Sequence, residues 1–180
     1  MLIYCQGDIF LTKAQCIAHG CNTLGKMGAG IAKEMRALFP AMYEEYKKLC
    51  KSEELKAGDI FVYTKSKPYI LNFMTQCGFY NAKLEYISQC LDKIKTGKLQ
   101  IDKCQYLTID SVAMPKIGCN LGKLNWNDVH KLIKDKLENI GFPVFIYKEY
   151  IPKKFSFDEE IYWRKKEGQN EKERIVKTNF

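Results

Sequence analysis

The order of signals along this chain predicts an α/β fold, in which strands and helices alternate and pack in layers. Three observations carry that expectation. Residues 69–75 form a nearly continuous apolar run, as expected of a strand buried on both faces. Leu84, Ile87, Cys90, Leu91 and Ile94 recur at helical spacing, as do Trp126, Val129, Leu132, Ile133 and Leu137. Two glycine-bearing loops each follow an apolar run and precede a helical pattern, the order found in open α/β sheets.

The elements read as follows. Residues 2–5 suit a first strand and 7–10 a turn. Residues 15–19 suit a second strand that ends at His19. A helix is expected over 31–38, with Ala32, Met35 and Phe39 inward. Pro40 breaks the pattern, and a second helix over 42–50 has Tyr43, Tyr46 and Leu49 as its apolar side. Strands at 60–63 and 69–75 are joined by a hairpin-like connection at 65–68. A further strand is read over 106–113 and a final one over 144–147. Asn125 or Asn127 caps the helix between them, and Gly141 stops it. The composition changes after Tyr150. Residues 151–163 read as a segment docking aromatics (Phe155, Phe157, Ile161, Tyr162, Trp163) on the main domain at 1–150. Residues 164–180 read as a frayed charged tail.

The chain has 180 residues, enough for one core plus this extension. No apolar run approaches a membrane span, and the N-terminus lacks signal-peptide character, so a cytoplasmic protein, or a nuclear and cytosolic one in a eukaryote, is expected. Most of the eight cysteines (Cys5, Cys16, Cys90 and Cys104 among them) lie in apolar runs and read as buried thiols in a reducing compartment. The net charge is +8, but the only arginines are Arg36, Arg164 and Arg174. Sequence-specific base reading favours arginine forks, so this excess fits a diffuse basic surface or an anionic ligand better. Cys16, His19 and Cys21 do not make a metal set, because strand alternation sends Cys16 and His19 to opposite faces. No metal or cofactor is called for.

Chemistry is concentrated in the two loops. Gly25, Gly28 and Gly30 let a backbone approach a ligand closely, and the helix that follows points free N–H groups at the same spot. That is an anion cradle, and two cradles side by side suit a diphosphate. Neither loop has the Gly-Lys-Ser or Gly-Lys-Thr of phosphate-loop nucleotidases, and the first lacks the Gly-x-Gly-x-x-Gly of dinucleotide folds, which argues against both classes.

Four motifs then agree, in order and with compatible spacing over about residues 1–148: Gly7-Asp8-Ile9, His19-Gly20-Cys21-Asn22, Met27-Gly28-Ala29-Gly30-Ile31-Ala32, and Met114-Pro115-Lys116-Ile117-Gly118-Cys119-Asn120-Leu121-Gly122 with Trp126. Together they resemble the macrodomain family of ADP-ribose binders. The resemblance is to the branch holding terminal ADP-ribose protein glycohydrolases, DarG-type antitoxins and ADP-ribose 1''-phosphate phosphatases. It implies a three-layer α/β/α macrodomain with a mixed central sheet. ADP-ribose would be the ligand or product, and ADP-ribosylated protein, nucleic acid or nucleotide the partner, acting on a monomer away from membranes. Asp8 would accept from the adenine amino group, a place where capping the turn is the competing role. Ile9 would offer its N–H to the ring. Asn22, with Gly20 and Thr75 beside it, would face the distal ribose. Met27, Gly28, Ala29, Gly30 and Ile31 would wrap that ribose and one phosphate. Ile117, Gly118, Cys119, Asn120, Leu121 and Gly122 would grip the diphosphate, and Tyr147 would pack on adenine or serve as a core aromatic.

The resemblance also implies chemistry that this chain alters. In the glycohydrolase branch a Lys follows the strand-end Thr, and an Asp follows the Leu of the second loop. Here Gln76 follows Thr75 and Gly122 follows Leu121. Hydrolysis at the distal ribose is expected to use water, with His19, Asn22 and Gln76 positioning or activating it. The alternative is a non-catalytic reader of ADP-ribose. Lys83 reads as a solvated charge on a helix, and Cys119 as a packing residue with no local base.

Overall fold

The computed structural model describes residues 1–178, with side chains through 169. Six strands form the main sheet: β1 (Leu2–Gly7), β2 (Cys16–Asn22), β3 (Ile60–Tyr63), β4 (Tyr69–Gln76), and two later strands, Val112–Pro115 and Val144–Tyr150. The latter two are β7 and β8, because Lys98–Gln100 (β5) and Tyr106–Thr108 (β6) pair only with each other, in a separate antiparallel ribbon. The sheet order is β1-β8-β7-β2-β4-β3, with all neighbours parallel except the antiparallel pair β3–β4. The sheet is therefore mixed, as the resemblance implies.

Helices α1 (Gly30–Leu38), α2 (Pro40–Lys51) and α5 (Phe157–Thr178) alternate in the chain with α3 (Leu84–Lys95) and α4 (Trp126–Leu137) on opposite sides of the sheet. The strand period of two explains the division. Cys16, Ala18, Leu71 and Phe73 join Ile87, Leu91, Val129 and Ile133 in one core. Ile17, Cys21, Ile70 and Met74 join Met35, Met42 and Tyr46 in the other. Each helix packs the face that its apolar spacing sets. Asn125 caps α4 by accepting from the Asn127 N–H.

Several boundaries differ from the sequence reading. The second strand does not stop at His19 but runs to Asn22, and the last runs to Tyr150. The strand read over 106–113 is two short ones, because Asp110 and Ser111 break it. The Ser111 carbonyl and hydroxyl instead accept from the Cys16 and Gln15 N–H groups. Residues 9–11 form a 3-10 turn. α4 ends at Leu137, before Gly141. Cys5, Cys16, Cys21, Cys50 and Cys90 are buried, but Cys104 is exposed, as is Cys77. No helix among the described residues is long and apolar enough to cross a membrane.

The extension behaves differently from a frayed tail, since α5 runs through 164–178; residues 179–180 lie outside the described residues. Tyr162 and Trp163 pack edge-on and tilted against Phe145 at ring distances of 5.4 and 5.7 Å, whereas Phe155 and Phe157 stay exposed. Helical spacing puts 159, 162 and 163 on the face turned to the sheet and Phe157 on the opposite one, while Phe155 precedes the helix.

Candidate functional site

All parallel strands end at one edge of the sheet, and the loops leaving that edge enclose a cleft of about 500 Å³. Its walls are the 3-10 turn after β1 (Ile9, Phe10), the end of β2 with the first glycine loop (Gly20, Asn22, Gly28, Ala29, Gly30, Ile31), the end of β4 (Thr75, Gln76), the second loop (Ile117, Gly118, Asn120, Leu121, Gly122) and the end of β8 (Tyr147, Lys148, Tyr150). Ligand sites of open α/β sheets lie at this carboxyl edge.

Two irregularities shape the floor. Cys21 pairs with Met74 but Asn22 pairs with Gln76, so Thr75 is an extra residue in the β2–β4 ladder. Cys5 pairs with Tyr147 but Gln6 pairs with Glu149, so Lys148 is extra in β1–β8. A bulge turns its extra residue out of the normal alternation. Both extra residues line the cleft. The sequence reading does not single out Lys148 for this reason, nor Phe10, Glu34 and Tyr150, which only tertiary placement brings to the cleft; Lys26 and Lys116 lie within the two loops it does identify.

The cleft is built to receive negative charge. α1 begins at Gly30 with Ala29 as its cap, which offers no side-chain hydrogen bond. Among the described residues, the N–H groups of Gly28 to Ala32 have no partner, and neither do those of Gly118, Asn120, Leu121 and Gly122. Both sets face one space, and Leu121 reaches across to Gly30, where a Cβ would lie 3.8 Å from its Cδ1. Lys26, Lys116 and Lys148 line the walls. The single carboxylate there, Glu34, accepts from the Tyr150 hydroxyl at 2.7 Å. Aligned N–H groups with nearby lysines favour an anion.

Some expected residues are elsewhere. His19 is fully buried and does not line the cleft. It faces α2, beside Cys21, and its Nε2 is 2.8 Å from Asn72 Oδ1, the residue that pairs with it in register. Burial pushes its imidazole down to about 4, only partly offset by Asn72, so the ring is neutral near pH 7. His19 is therefore a core residue here, not a proton-transfer group. Because its folded-state value is lowered, the unfolded chain binds more protons between about pH 6.5 and 4, and His19 costs stability as pH falls through that window. The loss is on the order of 3 kcal/mol. Thermal denaturation of His19→Gln against the parent should show that this component of acid destabilisation has gone. Equal pH dependence in the two proteins would contradict it.

Asp8 also lies off the wall. Its Oδ1 accepts from the Phe10 N–H at 3.0 Å and its Oδ2 from the Lys153 N–H at 2.8 Å, so it caps the turn and anchors the extension. Ile9 lines the cleft, and its N–H has no partner among the described residues. Met27 is buried in the α1–α2 core, where it pins the loop rather than touching the cleft. Cys119 packs on the other core, burial raises its thiol, and its N–H donates to Lys116 O, so that N–H is not free for the cradle. The Ile117 N–H is likewise spent on Pro115 O. Asn22 lines the cleft but organises its own loop: its Oδ1 accepts from the Leu24 and Lys26 N–H groups, and its Nδ2 donates to Lys26 O. Lys83 is exposed and precedes α3 as its cap instead of lying within it.

Gln76 and Asn120 are the amide side chains in the cleft without a hydrogen-bond partner among the described residues. Tyr147 presents its ring while its hydroxyl donates to Glu159 of α5. Glu159 is buried and accepts in addition from the Thr12 hydroxyl, the Lys13 N–H and the Trp163 indole. The extension thus braces the cleft wall through Asp8 and Tyr147.

A layered α/β/α domain with paired anion cradles at the carboxyl edge of its sheet defines a class, and comparison supplies the family. The profile of the family described as Macro domain matches residues 18–133, and the chain belongs to this family. A DNA ADP-ribosyl glycohydrolase of Thermus aquaticus is 30% identical over 153 residues, 82% of this chain. The chain spans only 41% of that protein's length. An ADP-ribose 1''-phosphate phosphatase of Candida albicans is 27% identical over 81% of this chain and 99% of its own. The structure of Thermosipho africanus DarTG in complex with ADP-ribose superposes with a TM-score of 0.71 at 28% identity, covering 83% of this chain and 41% of that one.

Proposed function

We propose that the cleft binds ADP-ribose and that the protein hydrolyses the bond between the distal ribose and an acceptor. The observation that carries this reading is the facing pair of cradles, each with unpartnered N–H groups, which suits the two linked phosphates of a nucleoside diphosphate. The adenosine end would lie toward Phe10, Tyr147 and Tyr150, and the distal ribose toward Asn22, Gln76 and Gly122. Relatives named as a DNA ADP-ribosyl glycohydrolase and as an ADP-ribose 1''-phosphate phosphatase support hydrolysis at the distal ribose.

The chemistry falls to positioning. With His19 in the core and Gln76 where the glycohydrolase branch has Lys, the free amides of Gln76 and Asn120 hold a water against the anomeric carbon. Its hydroxyl joins that carbon, and its proton leaves with the acceptor. Holding water and ribose in attack geometry supplies rate without a strong protein base. Calorimetry with ADP-ribose tests the cleft, and release of ADP-ribose from ADP-ribosylated oligonucleotide, ADP-ribosylated protein and ADP-ribose 1''-phosphate tests the reaction. Failure to bind ADP-ribose would overturn the whole reading. The second reading, a non-catalytic reader, is favoured by the same Gln76 and Gly122 replacements; tight binding with no turnover of the three substrates would establish it. His19→Gln should keep both binding and turnover.

A further inference from the structure

We infer that residues 77–83, beside the distal-ribose end of the cleft, form a stacking platform for the unpaired bases of a single-stranded nucleic acid. The inference rests on the reading of the cleft above, because the platform lies where the acceptor of an ADP-ribosyl group would emerge. Phe79 and Tyr80 are 82% and 75% exposed, the two most exposed large apolar side chains among the described residues. Exposure of two adjacent aromatic rings is costly in water unless something covers them.

The loop is held in place. Gly78 N–H donates to the Thr23 hydroxyl of the first glycine loop, Ala82 N–H to the Gly122 carbonyl of the second, and Lys83 N–H to the Thr75 carbonyl at the end of β4. It therefore bridges both cradles and continues the cleft wall from Gln76. Its rings are presented on a fixed backbone, and a fixed platform loses little entropy when a base lands on it.

The surrounding charge selects the partner. The Lys26 ammonium stands 4.9 Å from the Phe79 ring centre. Lys26 and Lys116 line the adjoining cleft and Lys83 ends the loop; the nearby carboxylates are Glu34, which accepts from the Tyr150 hydroxyl, and Glu85 in the first turn of α3. Flat exposed rings beside Lys26, at a cleft edge where lysines outnumber carboxylates, fit a polyanion that carries aromatic bases. The scarcity of arginine fits a surface that stacks bases without reading their sequence.

The test uses the full chain and an unmodified, fluorescently labelled oligo-dT, followed by anisotropy. The parent should bind it. Phe79→Ala/Tyr80→Ala should weaken that binding about tenfold or more, leaving the affinity for ADP-ribose unchanged. Lys26→Gln should reduce the salt dependence of oligonucleotide binding by about one ion. The aromatic double variant should bind inorganic polyphosphate as the parent does. No parental binding to oligo-dT, unchanged affinity in the double variant, or an equal loss toward polyphosphate would overturn the platform. So would a double variant that loses turnover of an ADP-ribosylated peptide while keeping oligonucleotide affinity, which would point to a protein acceptor. Failure of the cleft reading is seen separately, as a parent that does not bind ADP-ribose.

Discussion

Gly118→Val should abolish ADP-ribose binding and lower stability by about 3 kcal/mol. Gly118 has φ +75°, a left-handed conformation that a β-branched residue resists. A Cβ there would lie 2.9 Å from Ile87 Cδ1 and 3.0 Å from Leu124 Cδ1, inside the core that α3 and α4 share. The loop would have to lift, and with it the unpartnered N–H groups of Gly118, Asn120 and Leu121 that make one cradle. Gly28→Ala provides the contrast, because a Cβ at Gly28 meets nothing within 4 Å. Its melting temperature should match the parent's. Calorimetry and thermal denaturation of the two variants check this; a Gly118→Val protein that melts normally and binds ADP-ribose would refute the account.

Glu159→Ala should destabilise the protein by about 4 kcal/mol, a fall of about 10 °C in melting temperature. The carboxylate is buried, and four donors converge on it: the Thr12 and Tyr147 hydroxyls, the Lys13 N–H and the Trp163 indole. Alanine leaves the buried Tyr147 hydroxyl without an acceptor and takes the acceptor from the three part-buried donors as well. Glu159→Gln keeps the shape and one acceptor oxygen, and should lose much less. The cleft should also respond, since Tyr147 is held by this bond while its ring faces the ligand space. ADP-ribose affinity measured below the melting transition should fall in the alanine variant and largely return with glutamine. An alanine variant as stable as the parent would show that the extension does not brace the wall.

The sequence disclosed the site's backbone better than its side chains. Glycine spacing after an apolar run reports a conformational need that few other residues can meet, so both cradles were legible from Gly25 to Gly30 and from Gly118 to Gly122. His19 was misplaced because its partner is non-local. Nothing in the run 69–75 marks Asn72 as the one polar group that must meet His19 across the ladder; only register does so. Lys148 and Thr75 were set by bulges, which alternation cannot foresee. β5 has three residues, two of them exposed and polar, too little pattern to be seen. Tyr162 and Trp163 dock as expected, but Phe157 is separable from them only once the helix phase is known, and Phe155 only once α5 is seen to begin after it.

The position of β8 between β1 and β7 has a consequence for the timing of assembly. Among the described residues β1 is an edge strand whose one neighbour is β8, so a strand that begins at Leu2 waits for one that begins at Val144 before it gains a partner. The Ile9–Phe10 wall that follows β1 waits with it, and Glu159 must arrive later still to secure Tyr147. Contacts of such long sequence separation form slowly. A chain emerging from the ribosome can complete both cradles well before it completes the aromatic end of the cleft. Ligand competence therefore depends on β8 and Glu159, which follow both cradle segments in the sequence.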